Sequence, residues 1–433
     1  MWLFVHRPFE IWPILGDIRL ERLYMIFTLV AWFAISPKIW TSNSNNAAIF
    51  FVAFSIFIST LMSPYHGLGN NLTTENWFKV FVFFLLVMTS VQTEKDLKIL
   101  VTAFSVVFSI YMLHSFREYL NGKMVYRMGI ARMVGVDSTM NDPNTFGASI
   151  NYALPLLLPL MSLGKGINNK RQKKMIFLLL VSSFVLSVLC VQLTGSRSSF
   201  AILAASLLGL TMLSKYRIRI LLLLAVLACV VWVSTPERLK IRYISLIDSS
   251  VLEGQDMKGA QASADSRNEF FWIGLEIWKK YPLFGTGPEG FYYASGLDIQ
   301  SHGLIPQVLS ELGTLGAIAY LSFIGAVFAN HINAGRLYKR MQALKRENEV
   351  IYLYRVSFAV AWTVVLLIAL GFSGHNAFRF TWVWYAAFQA FAISLMSKKV
   401  TEAIDHSSLI ASQRQNMPYT TRERQQPHLG VQG

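Results

Sequence analysis

Residues 165–199 read KGINNKRQKK, MIFLLLVSSFVLSVLCVQL, TGSRSS. The central block, Met175–Leu193, carries no charged side chain. As a helix it extends about 28 Å, close to the ~30 Å of hydrocarbon in a bilayer. A cluster of lysine and arginine precedes it and a short polar turn with a single arginine follows. Basic flank, apolar span and polar turn together predict a transmembrane helix.

The rest of the chain repeats this pattern. Of 433 residues, 54% are hydrophobic and 15% charged, with a mean hydropathy of +0.43. Soluble domains carry about 25% charged residues, so the composition excludes an ordinary soluble enzyme. Further apolar blocks predict spans at Leu23–Ser36, Ala47–Met62, Trp77–Val91, Leu97–Phe116, Phe146–Leu163, Phe200–Leu213 and Ile218–Ser234. After a long polar insertion follow Leu304–Asn330, Tyr352–Phe372 and Phe380–Met396. With Met175–Leu193 this makes about eleven. Met1–Leu15 is a twelfth span, a re-entrant piece or an interfacial helix. Backbone polar groups in lipid must be satisfied within their own segment, and the period-2 alternation of a barrel is absent. The expected fold is all-α, a polytopic helical bundle of 11–12 spans with a long outward-facing loop that contains an amphipathic helix.

Lysine and arginine in short loops set the orientation. Four basic clusters alternate correctly if all face the cytoplasm: Lys165–Lys174, Lys215–Arg219, Arg336–Arg346 and Lys398–Lys399. The net charge of +15 therefore reads as topology, and no nucleic-acid partner is expected. Eleven spans place the N-terminus outside, against Arg7, Arg19 and Arg22; an extra N-terminal membrane segment would remove that conflict. No cleavable signal peptide is apparent in Met1–Leu15, and Cys190 and Cys229 read as small core residues. The expected organisation is a membrane domain over 1–396, with a large outward loop at 235–303, and a disordered cytoplasmic tail over 397–433, where apolar residues are too few to fold alone.

The outward segments hold the unusual residues. Arg117–Thr145 contains Arg132, Asp137 and Asn141-Asp142-Pro143-Asn144; the turn Thr194–Ser199 contains Arg197. Cations on this side run against the orientation bias, so either an anionic ligand or nearby carboxylates compensate them. In the insertion, Ser249–Ala264 is small, polar and expected to be mobile. Ser266-Arg267-Asn268-Glu269 fits a capping box, which predicts a helix starting at Ser266 with an apolar stripe of Phe270, Phe271, Gly274, Ile277 and Trp278. Arg267 at the head of that helix would oppose the macrodipole, and a bound oxyanion would reverse the penalty. A tight turn, Leu283-Phe284-Gly285-Thr286-Gly287, leads on to His302. Gln307 and Glu311 then share one helical face, where a carboxylate needs a protein or aqueous neighbour. No Asp-x-Asp pair or Cys/His cluster suggests a metal.

Taken in order, these residues resemble the signature of the O-antigen ligase and polymerase superfamily. The matching elements are Asp142-Pro143-Asn144, Ser196-Arg197, Arg267-x4-Trp272, Tyr281-Pro282-Leu283-Phe284-Gly285-x-Gly287, His302 and Glu311-Leu312-Gly313-x-Leu315-Gly316. They cover roughly Asn141 to Ala326. One departure stands out: Gly303 follows His302 where many members have asparagine, while His375-Asn376 forms that dipeptide in a later outward loop. The resemblance implies a multi-pass enzyme of the bacterial inner membrane with its active site facing the periplasm or cell exterior. It implies transfer of a glycan from undecaprenyl pyrophosphate to a hydroxyl on a glycan, lipid or protein acceptor, with no cofactor and no required metal. Carried over, Arg197 and Arg267 would hold the pyrophosphate and His302 would orient or deprotonate the acceptor. Glu311 would position His302 or structure the helix end, with Arg132, Asp142, His375 and Arg379 as accessory candidates. The alternative is a secondary transporter of a small anion, although such proteins keep ionisable groups near mid-bilayer, and here the spans are nearly free of charge.

Overall fold

The computed structural model describes residues 1–34, 38–65, 70–127, 130–247 and 255–415. It is a helical bundle, and each predicted span falls on helix over its described residues. Three short pieces come first: α1 (Trp2–Val5), α2 (Pro8–Ile11) and α3 (Pro13–Asp17). Pro8 and Pro13 each open a new piece, because proline cannot donate the hydrogen bond that would continue the previous one. None is long enough to cross a bilayer. This N-terminal segment packs on the bundle through Val5 and His6, both buried.

The next helices are α4 (Leu20–Ala34), α5 (Ser44–Leu61), α6 (Asn70–Ser90) and α7 (Glu94–Leu120). Thr93 and Asp96 form a full capping box on α7. A two-stranded hairpin follows, β1 (Val125–Arg127) with β2 (Ile130–Arg132), antiparallel with Val125 opposite Arg132. The predicted span Phe146–Leu163 is broken into α8 (Pro143–Ala153), a 3-10 turn at Leu154–Leu156 and α9 (Leu157–Leu160). Pro155 and Pro159 account for the break, since each lacks an N–H and crowds the preceding turn. Then come α10 (Lys170–Leu193), α11 (Arg197–Met212), α12 (Arg217–Ser234) and α13 (Glu237–Ile244).

The insertion contributes α14 (Gln255–Lys280) and α15 (Gly290–Ser295), and the bundle closes with α16 (Leu304–Ala343), α17 (Ile351–Gly371) and α18 (Phe380–Gln415). By length and composition, six helices among the described residues can cross a membrane: α5, α7, α10, α12, α16 and α17. Buried aromatics of α18, notably Trp384, Tyr385, Phe388 and Phe391, fill the centre.

Two expectations are corrected. The helix bearing Arg267 begins at Gln255, not Ser266. Ser266 therefore caps nothing, and the backbone amides beside Arg267 lie inside a continuing helix; the helix-end argument for an oxyanion there fails. The segment 255–264 is helical rather than loose, while 248–254 lies outside the described residues. At the other end, α18 runs on to Gln415, so the stretch from 397 begins as helix instead of disordered chain; 416–433 lies outside the described residues.

The basic clusters around Arg346 and Lys399 meet at one end of the bundle. There Lys399 pairs with Glu94 and donates to the Glu349 carbonyl, and Arg346 pairs with Glu349. The opposite end holds the polar loops: the C-termini of α10 and α12 meet where Gln192 Nε2 donates to Thr235 Oγ1 at 2.9 Å. Glu10 of α2 accepts from the Ser138 backbone N–H at 2.8 Å, which places the N-terminal pieces at that same end. Arg7, the cation that fits the orientation bias poorly, is paired there with Glu10 at 2.6 Å.

Candidate active site

At the end away from the basic loops lies a cavity of about 560 Å³. Among the described residues its walls come from six parts of the chain: 132–152, 197–199, Arg242, Arg267, His302 and 370–379. Asp142 caps α8, its Oδ1 accepting from the Asn144 and Thr145 backbone N–H groups at 2.9 Å each. Pro143 at the first helical position suits that start. Ser196 caps α11 in the same manner, so Arg197 stands at the first turn of a helix whose free N–H groups face the cavity. The two helix starts pack closely because position 147 is glycine: a Cβ there would lie 2.8 Å from Ser199 Oγ.

Five arginines line this cavity. Arg197 and Arg267 approach one another from α11 and α14. Burial, and after it the neighbouring Arg197 cation, lowers the proton affinity of Arg267; an anion between the two would relieve both. Arg132, at 1% exposure, comes from β2. Its Nε donates to the Thr194 carbonyl at 2.7 Å and its Nη2 to Asn144 Oδ1 at 2.9 Å, tying the ends of α10 and α8 together. Arg242, on α13, donates from Nε to the Gly195 carbonyl at 2.7 Å. Both therefore satisfy carbonyls at the C-terminus of α10, where cations are favoured. Arg379 precedes α18, and burial lowers it most, while Tyr152, Asp137 and Asp142 pull the other way.

Among the described residues, the lining sets a single carboxylate, Asp142, against these five cations. Asp137 lies just behind the wall, accepting from Tyr111 at 2.5 Å and from the Thr139 N–H at 2.7 Å. His302 and His375 face the same space. Desolvation by the neighbouring protein, then Arg379 and His302, push His375 down to about 4, with Asp142 opposing; its side chain is nonetheless exposed to the cavity.

Of the residues singled out from sequence, Arg197, Arg267, His302, Arg132, Asp142, His375 and Arg379 all line the cavity. Glu311 does not. It is wholly buried, with Gln307 Nε2 donating to its Oε2 at 3.5 Å, and it belongs to a different construction. At Gly313 the backbone of α16 leaves helical geometry (φ 65°, ψ −162°). The carbonyls orphaned by this kink accept from the Gly285–Gly287 turn: Thr286 N–H reaches the Ser310 oxygen and Gly287 N–H the Glu311 oxygen, at 2.9 Å each. In return Thr314 and Leu315 donate to the Pro282 and Leu283 carbonyls. The contact is backbone against backbone, and a Cβ on Gly285 or Gly313 would come within 2.5 Å of the opposing chain. The glycine motifs thus lock the insertion to the broken helix. Arg242 and Tyr152 line the cavity and carried no sequence signal of their own beyond, for Arg242, its place in a cationic helix.

The sequence was compared with known families. Residues 182–321 match the model described as O-antigen ligase. Over this stretch the chain is similar to that family. No curated protein matches. The matched region carries Arg197, Arg242, Arg267, His302 and Glu311. The other charged and histidine residues of the cavity, Arg132, Asp142, His375 and Arg379, come from outside it and are delivered by the hairpin, α8 and the turn between α17 and α18.

Proposed function

We propose that the chain is a membrane glycosyltransferase of surface-polysaccharide assembly, acting at the periplasmic or outer face of a bacterial inner membrane. It moves a glycan from undecaprenyl pyrophosphate to an acceptor hydroxyl, as a ligase or polymerase. The observation that carries this reading is one cavity that, among the described residues, gathers five guanidinium groups, two imidazoles and one carboxylate, at the end of the bundle away from the Arg346 and Lys399 loops.

The chemistry follows from that charge pattern. The acceptor oxygen attacks the anomeric carbon; the bond from that carbon to the phosphate oxygen breaks, and its electron pair leaves with the carrier diphosphate. Arg197 and Arg267, fixed before the reaction, stabilise the charge that develops on the leaving group. The acceptor proton passes to His302, an imidazole being able to accept it near neutral pH. Arg132 and Arg242 hold the Thr194–Ser199 turn that presents Arg197, and Arg379 bounds the histidine side.

Arg267→Ala should abolish glycan transfer, a loss of about 10²–10³ or more, while the protein still inserts and unfolds at an unchanged temperature, because Arg267 is only partly buried. Purified protein given lipid-linked oligosaccharide should release carrier diphosphate only when an acceptor is present. Normal surface glycan in the Arg267→Ala strain would remove the phosphate role. Absence of turnover with every acceptor would instead favour anion transport.

A further inference from the structure

The acceptor side of the cavity holds two histidines from distant parts of the chain. His302 leads into α16, and His375 lies between α17 and α18. Their rings are nearly parallel, 19° between planes, with centroids 6.2 Å apart. Phe270 of α14 abuts His302 edge-on at 5.1 Å.

This spacing is built into the backbone. Gly371, at the end of α17, meets the start of α16 so closely that a Cβ would lie 2.8 Å from Leu304 Cβ. On the His375 side, Asn376 Nδ2 donates to the Leu367 carbonyl at 2.7 Å and to Tyr152 Oη at 2.9 Å. Trp382 Nε1 donates to the Asn376 carbonyl, and the Ala377 N–H donates to Gln307 Oε1 at 3.1 Å. The turn is thus fastened to α8, α16, α17 and α18, and the imidazole pair is presented by a rigid frame.

On the His375 side these hydrogen bonds fall on its neighbours Asn376 and Ala377. Two parallel imidazoles about 6 Å apart, each with a hydrogen-bond reach of about 2.8–3.0 Å, can engage two adjacent oxygens of one small ring. A lone hydroxyl on a flexible side chain offers only one.

Resting on the glycosyltransferase reading, we propose that His302 and His375 form a paired site for a vicinal diol, so that the acceptor is a sugar held at two neighbouring hydroxyls and not the serine or threonine of a protein. His302 takes the proton of the attacking hydroxyl. His375 hydrogen-bonds the hydroxyl beside it and orients the ring. The charged and titratable groups facing His375 are Arg379, His302 and Asp142; Arg379 and burial keep it neutral, which suits hydrogen bonding without proton exchange.

The test uses the full chain in proteoliposomes, with lipid-linked oligosaccharide as donor and release of carrier diphosphate as readout. Three acceptors are compared: the same oligosaccharide freed from its carrier, its monodeoxy counterpart lacking the hydroxyl next to the linkage position, and a serine-containing peptide. Wild type should use the free glycan, should use the deoxy analogue with KM raised about tenfold or more, and should leave the peptide untouched. His375→Ala should raise the glycan KM by a similar factor and erase the preference over the deoxy analogue. His375→Asn, which can still hydrogen-bond, should recover much of the loss and keep the acid limb of the pH profile, whereas His302→Asn should lose kcat. A peptide used as well as the glycan, equal KM values for glycan and deoxy analogue, or an unchanged KM in His375→Ala would overturn the pair while leaving the transferase reading intact. No diphosphate release from wild type with any acceptor would sink the transferase reading, and the pair with it.

Discussion

Guanidinium groups in this cavity fall into two kinds that can be separated by stability. Arg132 is almost fully buried and binds two acceptors on different helices. Arg267 is partly exposed, and its proton affinity is lowered first by burial and then by Arg197. Replacing Arg132 with methionine keeps much of the volume but leaves the Thr194 carbonyl without that donor, a cost of about 1–3 kcal/mol. Arg132→Met should therefore lower the thermal midpoint and the activity together, while Arg267→Ala lowers activity alone. Unfolding curves of the two purified variants decide this; a larger midpoint loss in Arg267→Ala would reverse the assignment. Sequence reading found five of the lining charges and both histidines, the cations among them because arginines on the trans side violate a bias that most loops obey. It missed Arg242, whose role depends on a carbonyl, Gly195 O, that only the folded turn exposes to it.

Among the elements, α16 carries the most instructive feature. A helix broken at the edge of the membrane normally leaves carbonyls unsatisfied where water is scarce. Here the Gly285–Gly287 turn supplies the missing donors, and Ser59 Oγ adds another to the Glu311 carbonyl. Gly313→Ala should be severely destabilising. The added methyl meets the Leu283 carbonyl oxygen at 2.5 Å, and a non-glycine residue at positive φ costs about 1–3 kcal/mol before any clash. Gly325 lies on the same helix with nothing within 4 Å, so Gly325→Ala should be neutral or stabilising by up to about 1 kcal/mol. Thermal unfolding of both variants in detergent is the measurement, and comparable behaviour of the two would show that the turn does not lock the kink. The sequence presents these glycines as a motif and suggests close backbone approach, but Glu311 beside them reads as a site residue. Its carboxyl group lies buried beside Gln307, off the cavity lining, and its carbonyl accepts from the Gly287 N–H.

For the whole molecule, the separation of basic loops from the arginine cavity makes a topological statement that can be checked in cells. In a background carrying Cys190→Ala and Cys229→Ala, Asn121→Cys lies exposed at the end of α7 on the cavity side, and Lys173→Cys lies exposed at the start of α10 on the basic side. A membrane-impermeant maleimide should label the first in intact cells and the second only after permeabilisation. Labelling in the opposite order would put the cavity in the cytoplasm and end the proposed localisation.

Span positions, helical class and the alternation of basic loops are properties of the sequence alone. Hydrocarbon demands long uncharged helices whatever their neighbours, so each block announces itself locally. Helix starts and ends inside the insertion were less legible: Ser266 looks like a cap, yet helix continues through it, because a capping residue acts only where the preceding chain turns away. The meeting of β2, α8, α11, α13, α14 and the turn before α18 around one cavity is a tertiary fact. It depends on glycine contacts at 147 and 371 and on arginine bonds to carbonyls far away in sequence, and no local pattern encodes which distant surfaces will be brought into van der Waals contact.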